Sequence, residues 1–413
     1  MSTLELIGAL AAAVAILGFI NYRFIRLPDI IGITAAGSVI ALVLALVGRH
    51  VPSVVTWASA FAAQVDFSQV VFQGFLGVLL FAGSLHIDIA QLERQKWQIL
   101  ILSTIGVLIS TVVVGYGAFW LLSALGEPVA LKWCLLLGAL ISPTDPIAVL
   151  SVLKTVGVPK ALEMDIAGES LFNDGMGVVA YVFLAGIATG TVQPTWTGVA
   201  SLLAIEILGG VALGLVVGYG AFWMLKGLDS YAVEILVTIA LATGGYALAQ
   251  RLHVSAPLAV VVMGLVIGNH GAQHAMSANT RKHLFQFWEL VDEILNLMLF
   301  GLMGLTLLML TRTEEPWLPV IALIPVVLLA RFVSVGAPAL LLRRFLRRRT
   351  PHAVKVLTWG GLRGGLSVAL ALSLPQFEEK DLLVLGTYAV VLFSLLVQAP
   401  TLGPLLRRLD LGR

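Results

Sequence analysis

An all-α, polytopic membrane protein is the fold class this sequence predicts, and three observations predict it. Hydrophobic residues make up 59% of the 413-residue chain and charged ones only 12%, with a mean hydropathy of +0.99, far from the balance of a soluble globular domain. Most of its apolar runs approach or exceed the ~20 residues that span a bilayer, a length that core helices of a soluble protein do not need. Several charges also fall inside those runs, where a helix facing lipid would not keep them.

Apolar runs separated by charged, Gly or Pro breaks predict about 13 transmembrane helices, at about 4–20, 29–47, 69–88, 97–124, 131–153, 167–189, 198–225, 231–250, 255–270, 287–310, 317–342, 353–374 and 382–406. No basic region or small-residue cleavage pattern precedes the first run, so it is expected to be a retained span. The fifth contains the chain's one cysteine, Cys134, which excludes an intrachain disulfide and a Cys-based metal cluster. An odd number of spans puts the termini on opposite sides. With the N-terminus outside, 18 Lys and Arg residues fall in cytoplasmic loops and 5 in external ones, so N-out, C-in is the expected orientation. The run RRFLRRR at 343–349 abuts a span and reads as a topology and anionic-lipid anchor, not as a nucleic-acid site. Only about seven residues follow the last span. No soluble C-terminal domain is expected, and function is expected to reside in the bundle.

The stretch AGESLFNDGMGVV at 167–179 puts Glu169, Asn173 and Asp174 inside the sixth span. A carboxylate near the bilayer centre costs roughly 2.5–3.5 kcal/mol on insertion scales, so two within one short stretch read as a site. Glu169 and Asn173 are i, i+4 neighbours on a helix, as are Ser170 and Asp174, which makes one stripe polar. Asp174 is the candidate carrier of a proton or a small cation.

Two further spans break the rules of a lipid-facing helix. In span five, SPTDP at 142–146 sets Pro143 and Pro146 around Thr144 and Asp145; proline lacks an N–H and disfavours helical dihedrals before it. In span twelve, WGGLRGGLS at 359–367 places four glycines around Arg363, so the backbone there unwinds easily. The two spans run in opposite directions, the pattern of an inverted repeat whose discontinuous helices meet at a midplane binding site. Arg363, the one charge of span twelve, needs an acidic partner, and Glu169 is the expected one. Asp145 is expected where the broken helices cross, among partial charges from their exposed ends.

One carboxylate suffices for exchange if its two loads exclude one another. Oxygen ligands on Asp174, Ser170 and Thr144, with freed carbonyls, suit a hard monovalent ion, and only a loaded site would cross with its charge compensated. An intramembrane aspartyl protease dyad of Asp145 and Asp174 would leave Glu169, Arg363 and Asn173 without a use. A channel or ion-gated sensor is the other rival, distinguishable by single-channel current. Glu289, Asp292 and Glu293 open span ten as a cytoplasmic funnel or as helix N-terminal charges. Arg331 in span eleven snorkels or pairs with an acidic residue of the core. Glu206 and Glu234 have no assigned role.

The motifs SPTDP at 142–146, GESLFNDG at 168–175, FWELVDEILNLMLFGLMGL at 287–305 and GLRGGLSVALAL at 361–372 resemble the signatures of the monovalent cation:proton antiporters, in the NhaP and sodium/proton exchanger branch. The resemblance implies a secondary transporter, not an enzyme, that exchanges Na+ or Li+ for H+ without a cofactor, with K+ as the alternative cation. It implies a homodimer in a bacterial or archaeal inner membrane. Each copy would have a moving core at about 97–189 and 317–406, and dimerisation and scaffold helices at about 1–96 and 190–316. By position it makes Asp174 the cation and proton carboxylate and Asn173 its partner. Asn at 173 marks the electroneutral, one-for-one branch. Ser170 and Thr144 resemble cation ligands, Glu169 and Arg363 the structural ion pair, and Asp145 the aspartate at the helix crossing. One departure is Ala82 in FAGSLHID at 81–88, where many relatives carry a glutamate that contributes to the cation site. His86 in the same stretch is a candidate pH sensor near a span end.

Overall fold

The computed structural model describes residues 3–48, 67–192, 196–310, 316–341 and 352–411. The basic run at 343–349 and most of the stretch 48–68 lie outside the described residues. Every regular element among the described residues is helical. Apolar segments of this length satisfy their N–H and C=O groups internally only as helices or closed barrels, and nothing in the sequence alternates with the period of a barrel strand.

Nine helices among the described residues are long and apolar enough to cross a membrane, the longest being the continuous stretch Ile89–Ala124. The two segments with Pro and Gly motifs are interrupted as their sequences predict. One runs as Leu131–Ile141 and Ile147–Val156, the other as Ala353–Trp359 and Gly365–Leu372. Neither half of either reaches the length of a bilayer, so the breaks lie within the protein.

The helices pack in two groups. In one, Val107–Ala124 lies against both Leu131–Ile141 and Trp317–Leu341, Lys160–Thr189 against Leu131–Ile141, and Lys380–Phe393 against Trp317–Leu341. Its interior holds Leu136, Leu137, Leu140, Leu323 and Leu383, all fully buried. In the other, Ala256–Val266 packs on Trp196–Leu225 and Leu76–Leu85, while Asp29–Gly48 packs on Ala278–Leu310. This second interior centres on Phe81 and Trp288, whose rings lie 4.8 Å apart; the Trp288 indole donates to Thr238 Oγ1 at 2.9 Å. Asp29–Gly48 and Ala278–Leu310 approach through Gly37 and Gly304, where a side chain on either would meet the other's backbone. Without a hydrophobic drive in lipid, such close backbone contact is what holds two spans together. Large apolar side chains such as Phe19, Trp120, Leu208 and Phe332 are exposed; in a bilayer they face acyl chains.

Candidate functional site

The site is built on the helix Lys160–Thr189, which carries the predicted polar stripe. Glu169, Ser170 and Asn173 are buried, whereas Asp174 is only half-buried. The stripe faces both interrupted segments, and it grips them by different chemistry.

At the first break, Pro143 and Pro146 leave Thr144 and Asp145 without helical partners. Asn173 supplies both halves of an amide bridge: Thr144 N–H donates to its Oδ1 at 3.2 Å, and its Nδ2 donates to Thr144 Oγ1 at 2.8 Å. The hydroxyls of Thr144 and Ser170 lie 2.9 Å apart and share a hydrogen bond. Asp145 accepts from Ile147 N–H at 2.9 Å, at the start of the second half-helix. Its own N–H donates to Leu362 C=O at 2.9 Å, joining the first break to the second by a main-chain bond.

At the second break, the expected pairing of Glu169 with Arg363 is corrected. Glu169 is held by Arg331 through a two-pronged contact, Nη1 to Oε1 at 2.5 Å and Nη2 to Oε2 at 3.0 Å, the forked geometry that makes Arg–carboxylate pairs directional. Arg331 Nε also donates to Leu357 C=O at 3.1 Å, so the pair anchors the half-helix ahead of the break. Arg363 instead donates from Nη1 to Ser142 C=O and to Pro143 C=O, the latter at 3.0 Å. The physical reason is the end of Leu131–Ile141, where the last carbonyls lack N–H partners and carry the negative end of the helix dipole. A guanidinium inside the neighbouring break meets that need better than it could reach a carboxylate already engaged by Arg331.

A cavity of about 510 Å³ opens beside the breaks, and Thr144, Asp145, Asp174 and Gly364 are among its lining residues. Its mouth lies on the side of the 86–88 and 157–160 connections, marked by His86, Asp88, Lys160 and Glu163. The Asp174 carboxyl makes no hydrogen bond to, or ion pair with, another described residue. It is therefore a carboxyl exposed to a water-accessible cavity at the meeting point of two broken helices. The Asp145 carboxyl lies against Gly364, where a Cβ would collide with it; only a residue without one lets the second break close over the first.

Of the sequence-predicted residues, Asp174, Thr144 and Asp145 line the cavity, while Asn173, Ser170, Glu169 and Arg363 stand behind its wall. Glu289 and Asp292 line it as well; Glu206, Glu234 and Glu293 do not. Ala82 is fully buried in the cluster around Phe81 and Trp288, not on the cavity surface. His86 faces the mouth, its ring 5.3 Å from that of Phe285. Sequence reasoning missed Asp165, buried one turn before Glu169 and accepting from Gln98 Nε2 at 2.9 Å; its i, i+4 spacing from Glu169 was the available signal.

A family model described as "Sodium/hydrogen exchanger, transmembrane" matches residues 9–408. The Na+/H+ antiporter NhaP of Pseudomonas aeruginosa is 48% identical over 417 residues, covering 99% of this chain and 98% of that protein. The Na+/H+ antiporter NhaH of Halobacillus dabanensis is 32% identical over 412 residues, with 99% and 98% covered. Among solved structures, the sodium proton antiporter MjNhaP1 from Methanocaldococcus jannaschii at pH 8 shares the fold with a TM-score of 0.74 at 21% identity, covering 100% of both chains. A chain matched over nearly its whole length by that family model, and by relatives this similar, is an integral membrane secondary transporter belonging to the sodium/hydrogen exchanger family.

Proposed function

We propose that this chain exchanges Na+, and also Li+, for H+ one for one, with both ions competing for Asp174. The observation that carries the reading is the exposure of that carboxyl, without a protein partner, to a cavity beside two helix breaks. Cation and proton cannot occupy it together, so binding one expels the other. Asp145 accepts the Ile147 N–H and position 173 is an amide. That leaves Asp174 as the carboxyl at the breaks without a protein partner, which supports an electroneutral cycle. Asn173 and Ser170 position Thr144, whose hydroxyl is a cation ligand at the cavity wall. The neighbouring carbonyls are held by Arg363.

The cavity has walls from both helix groups. Thr144, Asp145, Asp174 and Gly364 come from segments 97–189 and 317–406, and Leu79, Leu80, Glu289 and Asp292 from segments 1–96 and 190–316. The first set forms the moving core and the second the scaffold of a homodimer. In this reading thirteen spans, arranged as an inverted repeat, place the N-terminus outside, which makes the open mouth cytoplasmic, in a bacterial or archaeal plasma membrane. The aspartyl protease and channel readings have no observation in their favour.

The test is reconstitution in liposomes carrying an internal pH dye, with Na+, Li+, K+ or Rb+ added against an imposed proton gradient. Asp174→Asn is expected to abolish coupled exchange, and exchange that survived it would end the proposal. Below the pH at which protons begin to compete, the apparent KM for Na+ rises about tenfold per pH unit, the limit for one proton against one cation. A steady-state ratio that followed an imposed membrane potential would contradict one-for-one exchange.

A further inference from the structure

The cavity continues past the residues assigned so far. On the helix Ala278–Leu310, Glu289, Asp292, Asn296 and Leu299 all line it. Their spacing of three and four residues puts them on one stripe of that helix. The stripe runs inward from the mouth and ends at the second break, where a side chain on Gly365 would collide with Leu299.

Asn296 is one turn before that contact and only 1% exposed. Its Nδ2 donates to Asp292 C=O at 2.7 Å, and its Oδ1 has no hydrogen-bond partner among the described residues. The amide cannot be turned over to hide this. A flip would set Oδ1 against a carbonyl oxygen and leave two donors without an acceptor. On the second interrupted segment, Ser367 is in the first turn of Gly365–Leu372, three residues beyond the Gly364 that cradles Asp145. It too is 1% exposed and lines the cavity, and its Oγ has no partner among the described residues.

Buried polar oxygens are almost always satisfied, so two orphans on residues that line one cavity call for a partner from within it. The occupant's charge follows from the surroundings. The unpartnered atom of Asn296 is an acceptor oxygen, Glu289 and Asp292 lie outward along the same stripe, and Asp145 and Asp174 line the same cavity. Amide, hydroxyl and carboxylate oxygens are ligands for a hard cation, and the carboxylates would repel an anion.

We infer that Asn296 Oδ1 and Ser367 Oγ form a second site for a partly hydrated monovalent cation, which holds Na+ or Li+ between the mouth and Asp174. This rests on the exchange reading above. The two oxygens replace part of the hydration shell before the carboxylate completes the exchange, so they act on cation binding and not on the proton.

The test measures 22Na+ binding to the purified full-length protein, together with the Na+ KM of exchange in liposomes. Asn296→Leu and Ser367→Ala are each expected to weaken Na+ binding and raise KM on the order of tenfold, while Ser367→Thr, which keeps the hydroxyl, restores both to within about twofold. If Asn296→Leu does not yield a monodisperse protein, the Ser367 pair decides. Binding and KM unchanged in Ser367→Ala, or lost equally in Ser367→Thr, would overturn the site and leave the oxygens holding water alone. Asp174→Asn, run alongside, separates the two readings: exchange that survived it would defeat the exchange proposal, whatever the Ser367 variants do.

Discussion

The two helix interruptions solve the same problem with opposite materials. The first is stiffened by Pro143 and Pro146 and held from outside by neutral groups, Asn173 and Ser170, on the helix Lys160–Thr189. The second is made of glycine, carries its own cation in Arg363, and is anchored through the charged Glu169–Arg331 pair. One polar stripe thus grips one break with hydrogen bonds between uncharged groups and the other with a buried ion pair. Energetically these grips differ, because a neutral bond lost inside a protein is worth about 1 kcal/mol, whereas a buried charge left alone costs several.

The largest expected effect comes from the ionic grip. Glu169→Ala leaves the Arg331 guanidinium buried and unpaired and should lower stability by about 3–5 kcal/mol, measured by equilibrium unfolding in mixed detergent micelles. Combining Glu169→Leu with Arg331→Met should recover much of that loss, and combining it with Arg363→Met should not. Recovery with Arg363 instead would overturn the pairing described here. Next comes Arg363→Leu, which uncovers the carbonyls of Ser142 and Pro143 together; a loss of about 2–3 kcal/mol is expected, with slowed exchange, because the strut serves both breaks. Gly364→Ala drives a methyl group into the Asp145 carboxyl and should cost about 1–3 kcal/mol as overpacking. It should also reduce Na+/H+ exchange in liposomes beyond what its stability loss explains. The smallest effect belongs to the neutral grip: Thr144→Val should cost about 1 kcal/mol in the same unfolding assay. A cost for Thr144→Val as large as that for Glu169→Ala would erase the distinction between the two grips.

Much of this arrangement is readable along the chain. Proline and glycine act on the backbone that bears them, so the breaks at 142–146 and 360–364 follow from local sequence. The stripe of Glu169, Ser170, Asn173 and Asp174 follows from helical periodicity alone. Lateral placement does not. Arg331 and Arg363 both stand inside apolar spans, and nothing in their neighbours' identities says which one reaches Glu169; the packing of Trp317–Leu341 decides it. Ala82 reads as a vacancy in the site only until packing turns it into the Phe81 and Trp288 cluster. Asn296 and Ser367 are unremarkable letters within apolar runs, and they become candidates only when the shared cavity and their missing partners are seen.

The struts between the breaks also constrain biosynthesis. The guanidinium that covers the carbonyls of Ser142 and Pro143 lies 221 and 220 residues downstream, and the main-chain acceptor for Asp145 is nearly as far along the chain. Until the translocon has delivered that distant segment, the early half of the pocket carries bare backbone oxygens at membrane depth, a condition lipid cannot relieve. Ribosome-stalled or prematurely terminated copies ending before Leu362 therefore lack both struts that join the breaks.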